Sequence, residues 1–247
     1  MSDPIRYHRP TGAWYRKSDK LIIDEVPGVY GNVPIAKDDV VLDLGAHIGL
    51  TSRLFLSKGA SKSIAVEADP ANHPLLRRNL ARLPALILPA AVGAKPGRMP
   101  FYTRADRGFV GSILEDAPRK RLVVPVVPFS GLLQEYRPTI VKSDIEFSEY
   151  ELPEMRALPD HVRTVAMEVH IRFVGIFTVR TMDAAELRER RQAAADLMAS
   201  FEAQGFREHW RKDKQVTPKQ SASQEPAEED GTGLGPMTKC VCVTYVR

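Results

Sequence analysis

Two stretches of this chain concentrate the side chains that can move protons. One is VKSDIEFSEYEL, residues 141–152, which crowds Lys142, Asp144, Glu146 and Glu149 together. The other is MEVH, residues 167–170, with Glu168 and His170 two positions apart. Carboxylates lose solvation when they leave water, so several of them at the end of an apolar strand suggest work rather than packing. In an extended chain Lys142, Asp144 and Glu146 share one face by the two-residue period, and so do Glu168 and His170. Such a group can take the proton from a reacting hydroxyl or amine. Asp144 is the first choice of base, then Glu146, then His170, with Glu168 as orienting partner and Lys142 keeping the carboxylates ionised. A helix N-terminus that favours acids would account for Glu149 but not for Asp144. For His170 the plain alternative is exposure at a strand end. A divalent ion bridging Asp144, Glu146 and Glu168 would suit the hard oxygen ligands that magnesium takes, but the sequence assigns no metal.

A different chemistry is written in VVLDLGAHIGL, residues 40–50, where an apolar strand runs out through Asp43, Gly45, His47 and Gly49 into a helix. Glycine lets the backbone come close to a ligand in such a turn. A dinucleotide fingerprint would read G-x-G-x-x-G, but His47 takes the second glycine position and Leu50 the third. The form present, D-x-G-x-x-x-G, is the one with which nucleotide-fold methyltransferases hold the methionine part of S-adenosylmethionine. Glu67 then closes SIAVE, residues 63–67, at the tip of the next strand, where two carboxylate oxygens match two vicinal ribose hydroxyls. Ala68 adjoins it, and AAVG at 90–93, with Ala91, falls where a loop beside an adenine edge would lie. A structural glycine turn and a surface acid are the plainer readings of these two signals.

The elements that position these groups follow from periodicity. From Asp39 onward short β-branched runs alternate with helical patterns, the signature of βαβ units and a mainly parallel sheet. Strands are expected at 40–44, 63–67, 85–93 with its exit turn, 139–145 and 162–170, and the crossover between the last two is expected to be helical. Helices are expected at 48–59, 75–83, 130–136 and 183–204. FREHW at 206–210 and KCVCVTYV at 239–246 read as a closing strand pair. Residues 1–38 read as an N-terminal cap whose Tyr30 would line an acceptor pocket, and 39–247 as the catalytic domain. Within that domain 95–128 reads as an insertion carrying two short strands, and the polar stretch 212–236 as a mobile loop.

Composition limits the alternatives. The chain has 247 residues, 35 Lys+Arg against 31 Asp+Glu, and 43% hydrophobic residues, a globular profile with room for one catalytic domain. No apolar run approaches the ~20 residues of a membrane-spanning helix, which argues against a membrane partner. The N-terminus shows no secretory pattern, so the cytoplasm is the expected location. Cys240 and Cys242 alternate on one face of a strand and read as small buried side chains rather than metal ligands. The basic residues Arg77, Arg78, RKR at 119–121 and RERR at 188–191 are interspersed with acids, which favours a solvated surface over a nucleic-acid footprint.

Taken in order, VVLDLGAHIGL, VEADP, Asn79, AAVG, KSDIEFSEYEL and MEVH resemble the FkbM-type S-adenosylmethionine-dependent methyltransferases across residues 20–175. The most specific part is the K-x-D-x-E-x-x-E block with E-x-H downstream. The family's block usually reads K-x-D-x-E-G-x-E, and here Phe147 replaces the glycine, a departure that bears on the local backbone and the substrate pocket. The resemblance implies a Rossmann-like class I methyltransferase, with a seven-stranded mostly parallel sheet and helices on both faces. It implies S-adenosylmethionine as cofactor, contacted by Asp43, Gly45, His47, Gly49, Glu67, Ala68, Ala91 and Asp144. It further implies methyl transfer to a hydroxyl, or a nitrogen, of a small molecule such as a sugar or natural product. Tyr30, Ser112, Lys142 and Glu149 would contact that acceptor, and a homodimer is compatible with such a chain. Three alternatives stay open: a methyltransferase of nucleic acid or protein, a non-catalytic binding protein of the same fold, and an NAD-dependent oxidoreductase. Against the first, SDIEF lacks both prolines of the D/N-P-P-Y/F/W motif usual in amino-methylating DNA enzymes.

Overall fold

The computed structural model describes residues 3–104, 107–112, 120–146, 148–171, 182–215, 232–234 and 238–247. An antiparallel hairpin, β1 (Ile5–His8) and β2 (Ala13–Arg16), leads through a 3-10 turn at Lys17–Asp19 into α1 (Lys20–Tyr30). The chain then alternates β3 (Val40–Leu44), α2 (Leu50–Ser57), β4 (Lys62–Val66), α3 (His73–Leu80) and β5 (Ala85–Leu88). β6 (Ala91–Gly93), β7 (Gly97–Arg104), β8 (Arg107–Ser112) and β9 (Lys120–Pro128) form a separate four-stranded sheet, ordered β6-β9-β7-β8. After α4 (Phe129–Tyr136) come β10 (Ile140–Ser143), β11 (Thr164–His170), α5 (Ala184–Ala203), β12 (Arg207–Gln215) and β13 (Thr238–Val246).

The main sheet has seven strands in the order β12-β13-β11-β10-β3-β4-β5. β10 pairs in parallel with both β3 and β11, and β3-β4-β5 continue in parallel, while β13 runs antiparallel to β11 and β12. The chain fills β3, β4 and β5 in one direction and then crosses to β10 on the other side. The crevice outside the carboxyl ends of β3 and β10 is therefore the topological switch point, where open α/β sheets bind ligands.

Two apolar faces cover the sheet. Leu42, Leu44, Val141, Val165, Met167 and Val169 pack toward α4 and α5, through Phe129, Leu132, Leu197 and Phe201. The alternate residues Val41, Ile140, Ala166 and Cys242 pack toward α1 and α2, through Val29, Tyr30 and Phe55. The two-residue period then puts Asp43, Lys142, Glu168 and His170 on the α1 face as well. α3 is amphipathic as the sequence predicts: Leu75, Leu76, Asn79 and Leu80 are buried, and Arg77 and Arg78 face outward.

Several local expectations need correction. The crossover from β10 to β11 contains single 3-10 turns at Glu149–Glu151 and Pro153–Arg156 rather than an α-helix. β10 stops at Ser143, and Glu146 takes a left-handed backbone, φ 50°, so simple alternation does not carry through 142–146. Arg191 is fully buried, its guanidinium donating to the Leu234 carbonyl at 2.7 Å, rather than lying on a solvated surface. Residues 212–215 belong to β12, and the rest of the expected loop, apart from 232–234, lies outside the described residues, as does Phe147. No helix among the described residues is long and apolar enough to cross a membrane.

Candidate active site

The turn after β3 is built by left-handed residues: Gly45 at φ 73°, His47 at 51° and Gly49 at 85°. Gly45 is required twice over, because a Cβ there would stand 1.9 Å from the backbone carbonyl of Asp144. Strand β3's exit and strand β10's exit therefore touch main chain to main chain. His47 occupies the same left-handed region without glycine's freedom, a strain of order 1–3 kcal/mol that is typical of functional loops. Beneath the turn Asp43 is fully buried. Its Oδ2 accepts from Ser52 Oγ at 2.6 Å, and its Oδ1 lies 3.2 Å from Lys142 Nζ. Lys142, 2% exposed, also donates to the carbonyls of Leu44 at 3.1 Å and Gly45 at 2.8 Å. Burial works against its charge, but the Asp43 and Asp144 carboxylates outweigh that and raise its pKa. Lys142 thus braces the turn from below.

Glu67 closes the wall on the β4 side. Its Oε2 accepts from the His47 amide at 2.7 Å, and its Oε1 accepts from the Asp69 amide at 2.8 Å and from Asn72 Nδ2 at 3.1 Å. A carboxylate offers about four acceptor positions, so three donors leave room for one ribose hydroxyl, not two, unless a bond is given up. Burial raises the Glu67 pKa, and the three donors pull it back only in part. Ala68 and Ala91 come together in one small apolar cluster with Phe101 and Val124, where the second sheet meets the end of β4. Ser112 ends β8, opposite Tyr102.

Further residues reach this wall, and of Arg16, Asp19, Asn72 and Asn79 the sequence singles out only Asn79, through the family resemblance. Arg16 of β2 donates to Asn72 Oδ1 at 2.5 Å, stands 3.3 Å from His47 Nε2 and pairs with the fully buried Asp19 at 2.9 Å. Asn79 bonds the backbone of Trp14 through both ends of its amide and the Ile48 carbonyl at 2.7 Å, tying the N-terminal hairpin to the turn. Apart from the Arg16–Asp19 pair, three residues apart, these contacts span dozens of residues, so no local pattern announces them. The Asp69-Pro70 step alone is legible: Asp69 Oδ1 accepts from the Ala71 amide at 2.9 Å, the Asx turn that such a pair favours.

Across the crevice, the ends of β10 and β11 assemble the acids around one imidazole. His170 Nδ1 lies 2.7 Å from Oε1 of the fully buried Glu149. Its Nε2 lies 3.5 Å from Glu168, 3.6 Å from Glu146 and 4.0 Å from Asp144. The Asp144 and Glu146 side chains are 32% and 30% exposed, so they open to the crevice, whereas Glu149 stands behind the histidine. Glu168 is held by Lys214 Nζ at 2.7 Å and by Cys240 Sγ at 3.0 Å, and Lys214 pairs in turn with Glu25 of α1 at 2.5 Å. The two cysteines are buried, as expected of small packed side chains, and Cys240 adds the hydrogen bond to Glu168.

Charges and burial compete here with different outcomes. Burial lifts Glu146 to about 7 even though His170 opposes it, and lifts Asp144 against the pull of Lys142. Burial would also lift Glu168, but His170 and Lys214 bring it down to about 2. Burial disfavours the His170 cation, yet Glu149 and Glu146 hold its pKa well above the usual imidazole range. Tyr30, at the end of α1, is 4% exposed, and its hydroxyl pKa is held well above the ordinary phenol value by burial and then by Asp144.

The wall formed by Gly45, His47 and Glu67 fits an adenosyl cofactor. It has a left-handed turn that a Cβ at Gly45 would break, and a buried carboxylate with one acceptor position left. Comparison with known proteins bears on the fold and on the family. The chain's fold is similar to that of TYW2 from P. horikoshii in complex with MeSAdo, with 12% identity, TM-score 0.50, and coverage of 99% of this chain and 72% of that one. Weaker likenesses are to fibrillarin from Aeropyrum pernix with natively bound S-adenosyl-L-methionine (12% identity, TM-score 0.41, coverage 100% and 83%) and to precorrin-6y C5,15-methyltransferase from Geobacter metallireducens (11% identity, TM-score 0.43, coverage 91% and 86%). Among curated proteins there is no match. The family model described as the methyltransferase FkbM domain matches residues 43–208, from the acid beneath the turn to the first residues of β12. The chain therefore belongs to the FkbM methyltransferase family and is an S-adenosylmethionine-dependent methyltransferase of Rossmann-like fold.

Proposed function

We propose that this enzyme methylates a hydroxyl, or in some acceptors an amine, of a small molecule. One observation supports the reading above the others: Asp144 and Glu146 open into the crevice beside the cofactor turn, while Glu149 and Glu168 are held behind them by His170 and Lys214. In this reading Gly45, His47, Gly49 and Glu67 contact the cofactor, with Ala68 and Ala91 toward its adenine side. Asp43 and Lys142 shape the turn from beneath. The bound S-adenosylmethionine supplies a methyl group already activated on a sulfonium. The protein's remaining task is to align an acceptor lone pair with that methyl carbon at about 3–3.5 Å and to exclude water.

Asp144 and Glu146 hold the acceptor's O–H, or N–H, by hydrogen bonds. As the acceptor atom's lone pair forms its bond to the methyl carbon, the sulfur keeps the electrons of the bond that breaks. The acceptor's proton passes to Asp144 or Glu146, the two acids with an opening to solvent. Glu149 fixes the imidazole of His170 beside the two acids, and Tyr30 closes the pocket from the α1 side.

The test is an assay with radiolabelled S-adenosylmethionine against a panel of polyhydroxylated and amine-bearing small molecules, with bulk tRNA and a protein lysate alongside. Label in the small-molecule fraction, dependent on Asp144 or Glu146, is the expected result. Label confined to RNA or protein would overturn the proposal.

A further inference from the structure

We infer that Asp144, Glu146 and His170 form a binding site for one divalent transition-metal ion, with coordination positions left open for the acceptor. The role in catalysis rests on the methyl-transfer reading above; the metal site itself is tested without it. Each of the three residues offers a ligand atom, and these atoms lie within 4.8 Å of one another. His170 Nε2 stands 3.6 Å from Glu146 and 4.0 Å from Asp144, beyond hydrogen-bond reach. Two ligands each about 2.1 Å from a shared ion stand roughly 3.4 Å apart at tetrahedral angles and roughly 4.2 Å apart when opposed. Both separations from the imidazole fall in that interval, and the ligand atoms of the two acids lie within 4.8 Å of each other, so an ion would fit with a small movement of a carboxylate.

Two further observations point the same way. Glu149, fully buried, receives Nδ1 of the ring at 2.7 Å, which leaves Nε2 turned toward the two acids. A buried carboxylate behind an imidazole is how proteins fix and strengthen a metal-ligating histidine. Independently, Tyr30 is 4% exposed, its buried hydroxyl has no hydrogen-bond partner among the described residues, and of the charges acting on it Asp144 is the strongest. A buried hydroxyl without a partner costs about 1–3 kcal/mol. A water held by an ion beside Asp144 would supply the missing partner.

The ligand set differs from the all-carboxylate set that the sequence suggests. Glu168 is engaged by Lys214 and Cys240, and His170 takes its place. Two carboxylate oxygens and one imidazole nitrogen suit manganese or zinc better than calcium. Because Asp144 and Glu146 are about one-third exposed, the remaining positions face the crevice, as in catalytic rather than closed structural sites. An acceptor hydroxyl entering there would become more acidic.

The full-length protein, stripped by chelation, is titrated with manganese(II) while electron paramagnetic resonance reads the free ion. One ion should vanish from solution per chain. Glu146→Gln, a partly exposed site where the fold should persist, should bind at least tenfold more weakly, and Glu149→Gln roughly 10- to 100-fold more weakly. The remote surface variant Asp160→Asn should bind as the wild type does. Circular dichroism melts confirm that each variant is folded. An undiminished free-ion signal with protein in excess, or equal affinity in Glu146→Gln, would overturn the metal site. Calorimetry with S-adenosylhomocysteine on the same samples separates the two readings. Cofactor binding without manganese binding sinks the metal alone, and manganese binding without cofactor binding sinks the methyltransferase assignment and leaves the ion site standing.

Discussion

The two sides of the crevice are built at different ranges. On the cofactor side polar atoms meet at hydrogen-bond distance: Glu67 to His47, Asp69 and Asn72 at 2.7–3.1 Å, and Asp43 to Ser52 at 2.6 Å. On the acceptor side, in front of His170, charges face each other at 3.5–4.0 Å. The first arrangement is complete before a ligand arrives and gains affinity through preorganisation. The second holds charges at a spacing that an incoming group can fill. One side is therefore a mould for a constant ligand, the other a socket for the reacting one.

If that contrast is right, variants on the two sides should separate binding from chemistry. The largest effect is expected from Glu146→Gln, which removes an acid from the acceptor side. Turnover should fall about 100- to 10,000-fold, as for the loss of a proton acceptor. Affinity for S-adenosylhomocysteine should stay within about twofold of the wild type, a difference of roughly 0.4 kcal/mol. A parallel loss of cofactor affinity would show that the two sides are one unit. Next comes Gly45→Ala, whose new methyl meets the Asp144 carbonyl in a backbone region that alanine disfavours. An overpacking cost of about 3 kcal/mol should weaken S-adenosylhomocysteine roughly 100-fold and lower the melting temperature.

Glu67→Ala leaves three donors without their acceptor and should weaken the same ligand roughly 10- to 100-fold in calorimetry. Its pH dependence sharpens the comparison. Burial raises the Glu67 pKa, so the ionised form that accepts a ribose hydroxyl exists only above that raised value. Cofactor affinity should therefore fall on acidification sooner than for a solvent-exposed glutamate, and Glu67→Gln should flatten the fall. For stability the sign is reversed, since a carboxyl raised in the fold favours the folded state as pH drops. Affinity lost without a falling melting temperature would thus be the mark of Glu67. The smallest effect is expected from Arg16→Ala, which acts on His47 and Asn72 from the hairpin and should cost only about threefold in cofactor affinity.

The same contrast decided what could be read from the sequence. The glycine turn and Glu67 sit in continuous segments, because a strand-turn-helix needs specific residue types at fixed local spacing. The convergence of 144–146 with 168–170 was also legible, since both segments end neighbouring parallel strands. What sets their roles was not. Glu149 looks like a surface acid by helix-terminus logic, yet it is fully buried against a histidine of the next strand. Glu146 reaches the cluster through a left-handed turn and not through strand alternation. Lys214, from a stretch that composition marks as loop, fixes Glu168 from β12. Arg191, within a run of charges, is buried on α5. In each case a contact distant in sequence overrides a local preference.

The central claim is that cofactor and acceptor groups occupy separable halves of one crevice, and calorimetry with S-adenosylhomocysteine on the wild type, Glu67→Ala and Glu146→Gln tests it most directly. The account predicts one-to-one binding by the wild type, clear weakening in Glu67→Ala and unchanged affinity in Glu146→Gln. No binding by the wild type, or equal weakening in both variants, would contradict it.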